Sequence, residues 1–208
     1  MKIRDIIIED FVNYKKPSMF ISMGVCDWKC CIEQGLDISI CQNSEMALMP
    51  EIDIESSKIV EMYISNPIIE SIVIGGLEPF YDFKDLLELI SKFRKCTNDD
   101  IVIYTGYYPY EIPDKLMYLS QYDNIIIKFG RFILGDEKHF DQVLGVELAS
   151  DNQYAVKLNK GTQKIIKAMA NNNGYCPCRI DKNEDTKCCC LDFRNKFEEK
   201  CHCGIFSK

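Results

Sequence analysis

Twelve cysteines stand among 208 residues, and four of them crowd one stretch. Cys26, Cys30 and Cys31 fall within Val25-Cys26-Asp27-Trp28-Lys29-Cys30-Cys31, and Cys41 follows at Cys41-Gln42-Asn43. Thiolates are soft ligands, and three of them on one loop can hold three irons of a [4Fe–4S] cube. The fourth iron is then open to a ligand from outside the protein. Cys26 and Cys30 supply the first two positions; the third falls to Cys41, with Cys31 as its competitor. Zinc binding and simple burial of thiols are rival uses of such a loop.

The other notable group is at the C-terminal end. Seven of the twelve cysteines lie in residues 176–208, as Cys176-Pro177-Cys178, Cys188-Cys189-Cys190 and Cys201-His202-Cys203. Thiols this close in sequence suit iron or zinc better than a set of strain-free disulfides. The tail is poor in apolar residues, so a metal or cluster is expected to staple it. Cys96 reads as a packed thiol at a helix end. His139, in the charged stretch Asp136-Glu137-Lys138, reads as a solvated surface residue. Trp28 reads as a shield over the cysteine loop, and Tyr107-Tyr108-Pro109-Tyr110 as a lid or a partner-facing run.

The elements that must position these residues follow from the hydrophobic pattern. Strands are expected over residues 3–9, 18–23, 71–74, 101–104, 124–127 and 154–158, the last being the final strand. Helices are expected between them: one capped by Asp53 and ended at Asn66-Pro67, one capped by Asp82, and a short one opened by Pro113. A further helix runs from Gly161-Thr162 to the stop at Asn171-Asn172-Asn173-Gly174. Fully apolar strands alternating with amphipathic helices indicate an α/β fold with a parallel sheet, in which ligands gather at the carboxyl ends of the strands. The cysteine loop, Gly75-Gly76-Leu77-Glu78-Pro79 and Tyr104-Thr105-Gly106 all fall at such ends. Paired glycines there let the backbone approach a ligand closely. The texture changes near residue 160, which divides the chain into residues 1–160 and 161–208.

These motifs, in this order and spacing, resemble the radical S-adenosylmethionine (SAM) activating component of anaerobic (class III) ribonucleotide reductase. Cys-Gln-Asn matches its Cys-Tyr-Asn, and Gly-Gly-Leu-Glu-Pro its Gly-Gly-Glu/Asp-Pro. Tyr104-Thr105-Gly106-Tyr107 matches its Tyr-Thr-Gly. Lys128-Phe129-Gly130-Arg131-Phe132 stands where the family has Asp-Gly-Arg/Pro-Phe, and Ala149-Ser150-Asp151-Asn152-Gln153 resembles its closing Ser-x-Asn-Gln. Three departures are visible. Ten residues separate Cys30 from Cys41 where the family has two, one residue is inserted in the glycine element, and Lys128 replaces an aspartate.

The tail resembles the catalytic subunit of ferredoxin:thioredoxin reductase, with its Cys-Pro-Cys, Cys-Pro-Cys and Cys-His-Cys; here the middle element is Cys-Cys-Cys.

The first resemblance implies a partial, open βα barrel with a cluster on Cys26, Cys30 and Cys41. It implies a SAM site using Gly75, Gly76 and Glu78 for the amino group, with Ser150 and Asn152 near the carboxylate or ribose. It also implies a glycyl radical enzyme, such as anaerobic ribonucleotide reductase, as partner, and ferredoxin or flavodoxin as electron donor. The second implies a small, mostly helical iron–sulfur domain with a second [4Fe–4S] cluster on Cys176, Cys188, Cys190 and Cys201. A redox-active Cys178–Cys203 disulfide with His202 as proton donor would serve a thioredoxin-like partner. Two further function classes remain: an electron-transfer module that never meets SAM, and a zinc-stabilised interaction protein.

Composition narrows the partners. Lys and Arg total 25 against 32 Asp and Glu, a net charge of −7 that disfavours nucleic acid. No apolar run approaches the ~18 residues of a membrane span, and the N-terminus has no apolar signal core, so the cytoplasm is the expected compartment.

Overall fold

The chain opens with β1 (Lys2–Asp10) and returns through β2 (Ser18–Met23), all six residues of which are buried. The computed structural model describes residues 1–195 and 199–208. After β2 the cysteine loop carries two short helices, α1 (Lys29–Ile32) and α2 (Ser44–Leu48), and leads to β3 (Ile52–Asp53). Helices and strands then alternate through α3 (Ser56–Ile64), β4 (Ser71–Gly76), α4 (Phe83–Cys96), β5 (Asp100–Tyr104), α5 (Pro113–Leu119) and β6 (Ile125–Phe129). A hairpin of β7 (His139–Asp141) and β8 (Val146–Leu148) precedes β9 (Tyr154–Leu158). The tail holds α6 (Gln163–Asn171), α7 (Leu191–Asn195) and β10 (Phe206–Ser207).

The architecture is mixed α/β around one open sheet of order β10-β9-β6-β5-β4-β2-β1-β3. Its centre, β2, β4, β5 and β6, is parallel. Both flanks are antiparallel: β1 and β3 on one side, β9 and β10 on the other. The central strands are apolar over most of their length because both faces are covered. On one face Ile72, Ile74, Ile101, Ile103, Ile125 and Ile127 pack under the helices. On the other, Phe20, Val73, Val102 and Ile126 meet Tyr14 and the β7–β8 hairpin in a smaller cluster. No helix among the described residues is long and apolar enough to cross a membrane.

Several expectations need correction. Asp53 does not cap α3; it pairs with Lys2 in β3, and Glu55 occupies the cap. That pairing spans fifty residues of sequence and overrides the local capping preference. Residues 154–158 are not the last strand, because β10 adds beside them. Cys96 is exposed rather than packed. His139 is half-buried in β7, with its Nδ1 buried and without a hydrogen-bond partner among the described residues.

The turn after Leu158 marks the expected change near residue 160, but the chain stays on the same body. The Asn159 N–H donates to the Ile205 carbonyl at 2.9 Å and Gly161 N–H to Ser120 at 2.8 Å. Cys176, Cys188, Cys189, Cys190 and Cys201 are buried in the same core as the helix-covered face of the sheet.

Helix α4 shows how firmly that face is fixed. Leu86, Leu89, Ile90 and Phe93 are wholly buried, and the Phe93 ring meets Tyr63 of α3 edge-on at 4.6 Å. Phe93→Ala is expected to cost about 3–5 kcal/mol of stability through lost burial and a residual cavity. Lys92→Ala, on the outer side, should stay within about 0.5 kcal/mol. Urea denaturation of both variants checks the contrast.

Candidate iron–sulfur site

The parallel strands end on a common edge, and a cavity of about 320 Å³ opens there. The loop after β2 brings Cys26, Cys30 and Cys41 to its wall. The end of β4 and the loop after it bring Gly76 and Glu78, the loop after β5 brings Thr105 and Gly106, and the end of β6 and the loop after it bring Lys128 and Gly130. Cys31 does not line the cavity and is only 2% exposed, beside Cys41. Of the two candidates for the third position, Cys41 lines the cavity and Cys31 is turned into the protein.

The sulfurs at the cavity are arranged as acceptors. Trp28 N–H points at Cys26 Sγ at 3.3 Å, and Asn43 N–H at Cys41 Sγ at 3.5 Å. The Phe132 N–H does the same for Cys30. Trp28 reaches its place only by adopting a left-handed φ of 57°, which turns the chain into α1. Burial drives the Cys26 thiol up to about 12 and raises Cys30 as well, against the backbone N–H groups that favour the thiolate. Thiolates here therefore need a positive centre, and amide donors aimed at cysteine sulfur are what a cluster's ligands receive. The donor set fits a cluster. Among the described residues, no three or more His, Cys, Asp or Glu side chains converge as a site for a single metal ion.

Buried polar residues hold the loops together. Glu78 is 6% exposed, and its carboxylate accepts from Phe80 N–H at 3.0 Å, Thr105 Oγ1–H at 2.8 Å and Gly106 N–H at 2.9 Å. Burial still pushes it up to about 7. The backbone N–H of Glu78 reaches Val25 of the cysteine loop at 3.0 Å. Arg131, also buried, forks onto Glu111 at 2.9 and 2.7 Å and onto Glu33 at 2.9 Å, so α1 is clamped to the loop after β5. Tyr107 O–H donates to Asp27 at 2.5 Å. Tyr107 and Tyr108 therefore belong to the site's framework: Tyr108 accepts from Asn152 Nδ2 at 2.8 Å and stacks on Tyr110 at 5.5 Å.

The two glycines have a use beyond approach to a ligand. A Cβ on Gly76, whose φ is +73°, would stand 2.4 Å from Ser22 Oγ and 2.5 Å from Met46 Sδ. A Cβ on Gly75 would meet Tyr104 at 3.1 Å. Both directions are filled by protein, so these glycines let α2 and the cysteine loop close against the strand ends. The Gly76 carbonyl, in turn, accepts from Asn43 Nδ2 at 2.5 Å. Ser150 and Asn152 do not line the cavity. Ser150 is wholly buried and ties Ile133 at 2.8 Å, while Asn152 gives its Nδ2 to Tyr108 and keeps a buried Oδ1 without a partner among the described residues; Ala149 and Gln153 line the cavity instead.

Lys128 is the residue whose role at the site the sequence left unread. It is 7% exposed, lines the cavity near Cys30 and Glu78, and donates to the Gly130 carbonyl at 3.0 Å. Burial lowers it to about 8, so it carries its proton at pH 7. A lysine in an otherwise apolar strand was the available signal.

In the tail, Cys176 is in thiol contact with Cys190 and Cys203, and Cys201 Sγ lies 3.3 Å from Cys203 Sγ. Cys176 is held well below the ordinary thiol range by those S–H donors, Cys190 first, while Cys190 and Cys203 are raised in return. Burial raises Cys188 and Cys189. Cys178 is exposed and His202 is exposed. All twelve cysteines are free thiols in this structure, the Cys178 and Cys203 pair included.

No curated protein and no solved structure matches the chain. A family model does: the one described as a 4Fe-4S single cluster domain matches residues 25–154, from the first cysteine loop through β8 to the start of β9. That span covers well over half of the sequence and contains all three cavity cysteines, which are half-buried and each receive a backbone N–H at sulfur. The chain belongs to the 4Fe-4S single cluster domain family.

Proposed function

We propose that the protein is a radical SAM enzyme whose cluster is held by Cys26, Cys30 and Cys41. One observation carries the reading: three thiols face the cavity while the fourth nearby thiol, Cys31, is turned into the protein. A three-ligand cluster leaves one iron for an outside ligand, and the cavity provides room for one beside it. A bound, reduced cluster supplies the electron that splits the C–S bond of the SAM sulfonium into methionine and a 5′-deoxyadenosyl radical.

The chain's own residues supply the setting. Glu78 and Arg131 fix the loops that line the cavity, so the ligand pocket is preorganised. The apolar strand ends and the β7–β8 hairpin limit water. Gly76 and Glu78 stand where the resemblance puts the SAM amino group, with the Glu78 carboxylate already engaged by Thr105 and Gly106. In place of Ser150 and Asn152, Gln153 offers the polar side chain on that wall. Reading the open sheet as a partial βα barrel agrees with a site on the strand ends.

The substrate follows from the resemblance alone: a glycine Cα–H of an anaerobic ribonucleotide reductase or another glycyl radical enzyme, with ferredoxin or flavodoxin as electron donor. The tail reads as a second [4Fe–4S] site with disulfide reductase chemistry between Cys178 and Cys203. Support for a thiol-rich site comes from Cys176, Cys190 and Cys201, three of the expected ligands, which gather with Cys203. The fourth expected ligand, Cys188, makes no such contact among the described residues, and Cys178 meets Cys176 rather than Cys203. An electron-transfer protein that does not use SAM is the second reading, favoured by the family match, which reaches no further than a cluster.

Three outcomes test this function. The anaerobically reconstituted, reduced protein should convert SAM to methionine and 5′-deoxyadenosine by chromatographic assay; intact SAM leaves the electron-transfer reading. Iron should be about eight per chain, falling to about four in Cys41→Ala and staying unchanged in Cys31→Ala. The reverse pattern would make Cys31 the ligand. Lys128→Met should lower the midpoint potential of the first cluster by tens of millivolts, since removing a buried cation disfavours the added electron. Potentiometric EPR titration reads that shift, and an unchanged potential would place Lys128 outside the cluster's field.

A further inference from the structure

Phe129 ends β6 between Lys128 and Gly130, both of which line the cavity of the first cysteine set. Its own ring is wholly buried on the opposite face, in the core shared by the tail cysteines. Two rings meet it there: Tyr154 at 5.9 Å and Phe206 edge-on at 5.9 Å. Each of these residues is bound to a tail cysteine. The Tyr154 hydroxyl accepts from the Cys189 N–H at 3.4 Å, and the Phe206 N–H donates to Cys201 Sγ at 3.1 Å. A short aromatic path thus runs from the tail cysteines to Phe129, whose chain neighbours Lys128 and Gly130 line the cavity of the first cysteine set. Burial keeps the Tyr154 phenol protonated, so the path carries no fixed charge of its own.

We infer that residues 161–208 deliver electrons to the cavity site through Phe129, with Tyr154 and Phe206 as the two contacts on the tail side. The inference rests on the proposed reading that both cysteine sets hold clusters. With both clusters bound, one electron would be carried from the tail set to the cavity set, no bond forming or breaking and no proton moving, and Phe129, Tyr154 and Phe206 would provide the contacts between them. A low-potential one-electron donor, a reduced flavoprotein or iron–sulfur protein, restores the tail. The direction follows from access. A cavity occupied by its cosubstrate and target cannot also admit a donor, whereas the tail presents the exposed Cys178 and the half-exposed Cys203 on another surface.

The test uses the full reconstituted chain with dithionite as donor. Wild-type protein reduced at both sites should give an EPR spectrum split or broadened by spin–spin interaction between two clusters. Phe129→Leu should keep about eight irons yet slow reduction of the cavity cluster about tenfold in freeze-quench EPR. Two independent, uncoupled signals in the wild type, or wild-type kinetics in Phe129→Leu with iron intact, would overturn the wiring and leave the tail to disulfide chemistry alone. About four irons in the wild type would instead overturn the two-cluster reading beneath it.

Discussion

Thiolates bind iron, and this fold buries its thiols where thiolates are costly. That opposition governs the site. Cys26 and Cys30 are desolvated enough to be held as neutral thiols when alone, yet the backbone aims an N–H at each sulfur. Desolvation and donation act in opposite directions on the same atoms, and a positively charged cluster core resolves the conflict by taking the place of the proton. In the tail too, thiols crowd together, with Cys176 in contact with Cys190 and Cys203.

Everything around the cavity keeps those sulfurs in place. Glu78 is a buried carboxylate whose oxygens are taken up by the loops after β4 and β5, and its own N–H holds the cysteine loop. Arg131 gives a bidentate grip on Glu111 and a further bond to Glu33, which fixes α1 against the neighbouring loops. Truncating either residue would strand buried polar partners, so these groups belong to the framework rather than to a mobile gate. Glycine at 76 completes the closure, since any side chain there would push against Ser22 and Met46.

The central strands were legible because a doubly covered parallel strand must be apolar along its whole length, as Ser71–Gly76 and Ile125–Phe129 are, apart from Lys128. The cysteine loop, the glycine element and Thr105-Gly106 were correctly assigned to strand ends by the same reasoning. Long-range pairing was not legible. Asp53 looks like a cap until Lys2 pairs with it, and Phe206–Ser207 is too short to announce a strand without Leu158 beside it. The β7–β8 hairpin hides in a charged stretch of three-residue strands, and its return makes β9 antiparallel. At the site, the resemblance pointed to Ser150 and Asn152, but neither lines the cavity: Ser150 bonds Ile133 and the Asn152 Nδ2 bonds Tyr108. Spacing offered Cys41 with Cys31 as its competitor, and only the fold shows that Cys41 lines the cavity while Cys31 is turned into the protein.

In the proposed cluster Cys26, Cys30 and Cys41 each bind one iron, and the fourth iron carries no sulfur from the protein. Mössbauer spectroscopy of the 57Fe-reconstituted protein, recorded before and after addition of SAM, addresses that iron directly. A single iron site should shift to parameters of higher coordination on SAM addition while the remaining sites stay unchanged. Identical spectra with and without SAM, at concentrations that saturate binding in related assays, would contradict the account and leave a fully ligated electron-transfer cluster.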